Sequence, residues 1–125
     1  MQLHFHKSFW EANCNNQQEL SELLKRTHDD GYQGSELFLP FYGIDVDTTL
    51  KAHAEHDLNI ITGIATQGGD VAAHLKSMTA QIEHAVEFSP VLINSHTGRD
   101  IFTLEENLTL FEHALKLEQK YGITI

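Results

Sequence analysis

Short apolar runs and longer amphipathic stretches alternate along the chain, and the period of the pattern changes in step. Leu3 to Ser8 alternates with period two, which puts Leu3, Phe5 and Lys7 on one side of a strand and His4, His6 and Ser8 on the other. The Asn13–Asn16 stretch reads as a loop. From about Gln17 to Asp30 the period becomes helical, with Leu20, Leu23 and Leu24 forming a stripe and Gly31 placed to end the helix in a left-handed conformation. Ser35 to Leu39 is the second strand, stopped by Pro40. Asp45 or Asp47 can cap a helix over Thr48–His56. Asn59 to Ala65 is the third strand, and Asp70 caps a long helix ending near Glu87. Val91 to Ser95 is the fourth strand. Thr103 and Glu106 stand at the N-cap and third positions of a capping box that opens the last helix. Gly122 to Ile125 starts a fifth run that is truncated.

Four βα units joined this way predict an α/β fold with a parallel sheet, in one domain over residues 1–125. Two architectures remain, an open doubly wound sheet and part of a barrel. Central strands of an open sheet are covered on both faces and read as nearly continuous apolar runs. Here each strand keeps polar positions: His4 and His6, Glu36, Thr62, and Asn94 with His96. A ring of helices on one side and a polar interior on the other accounts for that asymmetry. The expectation is the N-terminal half of a (β/α)8 TIM barrel, whose full length is about 250 residues. An unclosed barrel exposes strand edges and its interior face, which predicts a homo-oligomer, with two halves pairing into one barrel as one form.

Composition narrows the partners. A net charge of −10 with only eight Lys and Arg argues against nucleic acid and anionic membrane. No apolar stretch reaches the roughly 18 residues of a membrane span, and the N-terminus lacks the pattern of a signal peptide. One cysteine, Cys14, excludes an intrachain disulfide and fits a cytoplasmic location. It has no basic neighbour to make it a nucleophile.

In a barrel, ligands sit at the carboxyl ends of the strands. The residues expected to arrive there facing inward are His6 and Ser8, Glu36 and Phe38, Thr62 and Ile64, and Asn94 and His96. Trp10, Tyr42, Gln67, Thr97 and Arg99 can lean in from the loops. Carboxylate, imidazole and aromatics together suit a polyol. His96, where the fourth strand becomes a loop beside Gly98, is the first candidate for proton transfer. The competing reading is a loop histidine bonded to backbone. Glu36 is an acid in an apolar strand and needs a polar cavity or a partner, Lys7 or a histidine being the structural alternatives. His4 and His6 would lie about 7 Å apart on one side of a strand, wide for a shared metal. The histidines on helices read as surface or packing residues.

Three segments, read in order, carry a family resemblance. They are Phe5-His6-Lys7-Ser8-Phe9-Trp10, then Asp30-Gly31-Tyr32-Gln33-Gly34 leading into Glu36, then Asn94-Ser95-His96-Thr97-Gly98-Arg99-Asp100. With Thr103-Leu104-Glu105-Glu106 and Lys120-Tyr121-Gly122-Ile123, the set resembles the N-terminal half of the sugar phosphate isomerase/epimerase family, with its xylose isomerase-like TIM barrel. The wider superfamily includes ketose epimerases, xylose isomerase and a DNA-repair endonuclease. The resemblance implies carbohydrate metabolism, with a sugar or sugar phosphate as ligand. Its chemistry is metal-assisted proton transfer between adjacent sugar carbons through an enediolate. It also implies a divalent metal (Mn, Mg, Co or Zn) in full-length members, whose acidic ligands come mostly from strands five to eight. This half is therefore expected to bind no metal tightly and to be inactive or incomplete alone. Glu36 and His96 carry over as candidate catalytic residues, and His6, Trp10, Asn94 and Arg99 as candidate substrate-binding residues. The alternative is a non-catalytic metal- or small-molecule-binding module that self-associates.

Overall fold

The computed structural model describes residues 2–10 and 14–125, so Asn13, the start of the predicted Asn13–Asn16 loop, lies outside the described residues. Elements follow the order β1 (His6–Ser8), α1 (Gln17–Asp29), β2 (Gly34–Phe38), a 3₁₀ turn (Leu39–Phe41), α2 (Val46–Glu55), β3 (Asn59–Ala65), α3 (Val71–Val86), β4 (Leu92–His96) and α4 (Leu104–Tyr121). The strands form one parallel sheet in the order β1-β2-β3-β4.

Local chemistry sets the helix starts. Asn16, Asp45 and Asp70 each accept a hydrogen bond from the backbone N–H three residues on, satisfying a donor that the first turn leaves free. Thr103 and Glu106 make the reciprocal capping box. At the far end of α1, Gly31 has φ +86°, the left-handed turn expected there. The first strand is shorter than its alternation predicts. Leu3 to Phe5 lie outside the ladder and exposed, and Phe5 is tied only to Gln33, whose N–H donates to its carbonyl at 2.8 Å while the Phe5 N–H donates to Oε1 at 2.8 Å.

Sequential order has a direct geometric consequence. Right-handed βα crossovers that always step the same way lay every helix on one face of the sheet. The buried contacts agree. Phe9, Leu37 and Ile60 pack with Leu20 and Leu24 of α1 and Ala52 of α2, while Ile64 and Ile93 pack with Met78 and Ile82 of α3 and Leu110 and Leu117 of α4. A doubly wound sheet reverses its direction at a switch point and covers both faces; these four strands do neither.

The helix-bound face therefore consists of Lys7, Phe9, Ser35, Leu37, Ile60, Thr62, Ile64, Ile93 and Ser95. The register places His6, Ser8, Gly34, Glu36, Phe38, Ile61, Gly63, Ala65, Leu92, Asn94 and His96 on the open face. This corrects the expectation for the third strand: Thr62 and Ile64 face the helices, not the open side. Ile60 and Ile64 each anchor a helix pair, and their shared parity carries Thr62 inward with them, its hydroxyl buried and without a partner. Gly122 to Ile125 form no strand, but the Ile93 N–H donates to the Thr124 carbonyl at 2.9 Å, a single rung on the free side of β4. No helix among the described residues is long and apolar enough to cross a membrane.

Candidate functional site

Glu36 sits on β2 and Asn94 on β4, with β3 between them. Their side chains nevertheless meet, the Asn94 Nδ2 donating to Glu36 Oε1 at 2.9 Å. Gly63 makes this possible. It is the β3 residue in register with both Phe38 and Asn94, and having no side chain it leaves the span clear. A Cβ there would lie 2.9 Å from Phe38 Cδ2 and 3.7 Å from Glu36 Oε1. Gly63 was not singled out in the sequence, although a glycine inside a strand is a recognised sign of close approach over the sheet.

The carboxyl ends of β1, β2 and β4 supply an aromatic wall. Trp10 stacks on Phe38 with centroids 4.3 Å apart and planes 22° from parallel. His96 presents its ring to both, at 5.8 Å from Phe38 and 6.2 Å from Trp10. Phe41 stands edge-on to Trp10 at 6.3 Å and is 80% exposed. Phe41 thus joins a wall for which the sequence suggested Tyr42. Tyr42 lines the same hollow as Trp10, Phe38 and Phe41, but its hydroxyl hydrogen-bonds to Thr49 Oγ1 at 2.7 Å, its ring packs on Phe88, and burial pushes its phenol up to about 12.

His6 lies over Gly34, where a Cβ would come within 2.4 Å of His6 Cδ2. Its Nε2 is buried without a hydrogen-bond partner. Burial holds its pKa below the ordinary value; nearby His4 acts the same way, and Glu36 opposes both. The imidazole is therefore biased neutral, with a ring nitrogen left free beside the carboxylate. Lys7, by contrast, is on the helix-bound face with its ammonium 5.9 Å from the Tyr32 ring, so it does not pair with Glu36. Arg99 reaches back to the loop before α3, where Nη1 donates to the Gly69 carbonyl at 3.4 Å. Nothing brings it to Glu36.

The loop after His96 is fixed by its neighbours. The Thr66 N–H donates to the His96 carbonyl at 2.9 Å, and Thr66 Oγ1 lies 2.7 Å from Thr97 Oγ1 and 2.8 Å from His74 Nδ1. His74 Nε2 donates to the Gly68 carbonyl at 3.2 Å, so its Nδ1 accepts from Thr66. Buried His74 is thus a strut that ties α3 to the loop before it and, through Thr66, to Thr97. Gly98, at φ +82°, passes so close to Asn107 that a Cβ would sit 2.6 Å from its Oδ1.

Together Glu36, Asn94, His96 and His6 offer a carboxylate, an amide and two imidazoles beside stacked rings, on one solvent-facing surface. That set can accept and donate hydrogen bonds to vicinal hydroxyls while the rings cover an apolar face. Among the described residues no three His, Cys, Asp or Glu side chains converge to hold an ion. Comparison with models of known protein families finds no match. Comparison with curated proteins likewise finds none.

Proposed function

We propose that this chain is the N-terminal half of a (β/α)8 barrel of the sugar phosphate isomerase/epimerase lineage, and that its open sheet face binds a sugar. The observation that carries the reading is the Glu36–Asn94 bond across Gly63, set next to His96 and the Trp10–Phe38 stack at the carboxyl ends of sequentially ordered parallel strands. Singly wound order with helices on one face only is the arrangement of barrel staves, and that end of the strands is where barrels bind ligands.

In this reading Glu36 accepts a hydrogen bond from a sugar hydroxyl and Asn94 keeps the carboxylate aimed. His96, at the rim, exchanges a proton with a neighbouring hydroxyl or carbon centre. Trp10 and Phe38 pack on the C–H face of the ring. No role given to these residues depends on a divalent metal. Arg99 is left out of the binding set, because its Nη1 donates to the Gly69 carbonyl and no contact brings it to Glu36.

Trp10 is the only tryptophan in the chain and reports on the site directly. Titration with ketoses, aldoses and their phosphates is expected to change its emission saturably, and Glu36→Gln and His96→Ala are each expected to weaken binding at least tenfold. Deuterium uptake from D₂O into the bound sugar, followed by NMR, reads proton transfer separately. Binding without uptake makes the chain a binding half only. If no sugar or sugar phosphate moves the Trp10 signal, the reading fails.

A further inference from the structure

Three side chains of α3 interrupt the apolar pattern of the side it turns toward the sheet. His74, Ser77 and Gln81 are spaced by three and four residues, so at about 100° per residue they form one stripe beside Met78, Ile82 and Ala85. All three are spent on residues 65–68, the segment by which the chain leaves β3. Gln81 accepts from the Ala65 N–H at 3.1 Å and donates to its carbonyl at 2.6 Å. Ser77 Oγ accepts from the Gln67 N–H at 3.0 Å and from Gln81 Nε2 at 2.9 Å. His74 donates to the Gly68 carbonyl and accepts from Thr66. Part of this has a plain structural reason. β2 leaves the ladder at Phe38, in register with Gly63, so Ala65 has no β2 partner and Gln81 serves in its place.

The link onward to the site is Thr66. Its N–H donates to the His96 carbonyl at 2.9 Å, one step past the last β3–β4 pair, Ala65 with His96. Its hydroxyl lies 2.7 Å from the Thr97 hydroxyl. A hydroxyl has one proton to give. Thr66 gives its own to His74 Nδ1 and therefore accepts from Thr97. One residue thus grips the His96 carbonyl and the side chain that follows it. We infer that Thr66 is the positioning residue for His96, seated by the α3 stripe so that the imidazole stands edge-on to Phe38 and Trp10. The inference rests on the reading of His96 as the proton-exchanging group. The ring meets that wall at 5.8 and 6.2 Å, so the backbone on its carboxyl side sets where the imidazole stands at the rim. Proton transfer is sensitive to such placement, since about 1 Å of displacement can cost on the order of a hundredfold in rate. With its hydroxyl committed to His74 and Thr97, Thr66 acts on a ligand only through His96.

Nuclear Overhauser contacts in the ligand-free chain test this without any sugar. Thr66→Val removes the hydroxyl at nearly constant volume and keeps the N–H bond to the His96 carbonyl. It is expected to abolish the contacts from the His96 ring to Trp10 while those between Trp10 and Phe38 persist, and Thr66→Ser should restore them. Thr97→Val cuts the same link from the other side and should give the same loss, which decides the matter if Thr66→Val does not fold. Sugar affinity should fall about threefold or more with Thr66→Val in the native chain, and no further when His96→Ala is already present. His96 contacts unchanged in the valine variants overturn the inference. So does a Thr66→Ser chain as displaced as the valine one, or loss of the Trp10–Phe38 contacts together with those of His96. Equal losses of affinity with and without His96→Ala overturn it as well. If no sugar binds the native chain, the sugar reading alone fails, because the Overhauser contacts still decide whether Thr66 seats His96.

Discussion

The two faces of the sheet are made by the same four strands, one residue out of step, and they do opposite work. On the helix-bound face Leu37, Ile64 and Ile93 are essentially inaccessible, and every helix rests there. On the open face Glu36 is half-buried, Asn94 and His96 are exposed, and a single hydrogen bond joins side chains two strands apart. Stability is concentrated on the first face and reactive groups on the second. The period-two geometry of strands allows this separation, since neighbouring residues answer to different environments.

The sharpest way to break the comparison is to remove atoms from the packed face. Leu37→Ala leaves a cavity between α1, α2 and the sheet and should cost ~2–5 kcal/mol, read from urea denaturation. A loss below about 1 kcal/mol would mean that the face is not the rigid core described. Gly63→Val probes a position where the open face, like the packed one, is tightly constrained. A Cβ already meets Phe38 at 2.9 Å, so two further methyls must displace that ring and the Glu36–Asn94 bond over it. The expected cost is ~1–3 kcal/mol, with a shifted Trp10 emission because Trp10 stacks on Phe38. Unchanged fluorescence would show that the wall is not seated on Gly63.

How far the sequence reveals this division depends on the range of the interaction. The helix caps at Asp45, Asp70 and Thr103 are bonds between residues three apart, so local spacing is enough to find them. The order of elements is legible for the same reason, because the hydrophobic period changes within short windows. The facing of β3 is not. Ile60-Ile61-Thr62-Gly63-Ile64 has apolar residues at both parities, and polarity alone sends Thr62 to the wrong side. Which parity is buried is decided by helices elsewhere in the chain. Glu36, Asn94 and His96 could be picked out as polar positions in apolar strands, but the bond across Gly63 depends on strand order, which no local pattern carries. The bonds from Arg99 to Gly69 and from Tyr42 to Thr49 are likewise set by the fold and carry no local signal.

A pH experiment sharpens the contrast from the buried side. His53 is 2% exposed, with Nδ1 donating to the Thr49 carbonyl at 2.8 Å and Nε2 accepting from the Ser35 hydroxyl at 2.7 Å, which links α2 to β2. Burial depresses its pKa below the ordinary 6.5; the Thr49 bond opposes the shift and His56 adds to it. The unfolded chain then binds the proton more readily than the folded one. Its contribution to stability is full above pH 6.5 and declines as pH falls toward the lower folded value. Denaturation midpoints measured through that window should drop with acidification, and His53→Gln should flatten the slope. His6 on the open face shifts in the same direction, so the His53→Gln difference isolates the buried term. An unchanged slope in that variant would exclude His53 as the source.

The smallest stability effect is expected on the open face, and its smallness is the point. Asn94→Ala removes the donor to Glu36, but both partners are reached by solvent, so water replaces the lost bond. The change in unfolding free energy should stay within about 1 kcal/mol, the usual net value of a hydrogen bond whose partners water can still satisfy. Sugar binding, if Asn94 aims the carboxylate, should weaken by far more than stability does. Measuring both on one protein separates the roles. Parallel losses would make the Glu36–Asn94 bond a structural tie between β2 and β4. Lost binding in a chain that denatures at the parental urea concentration would assign that bond to ligand recognition.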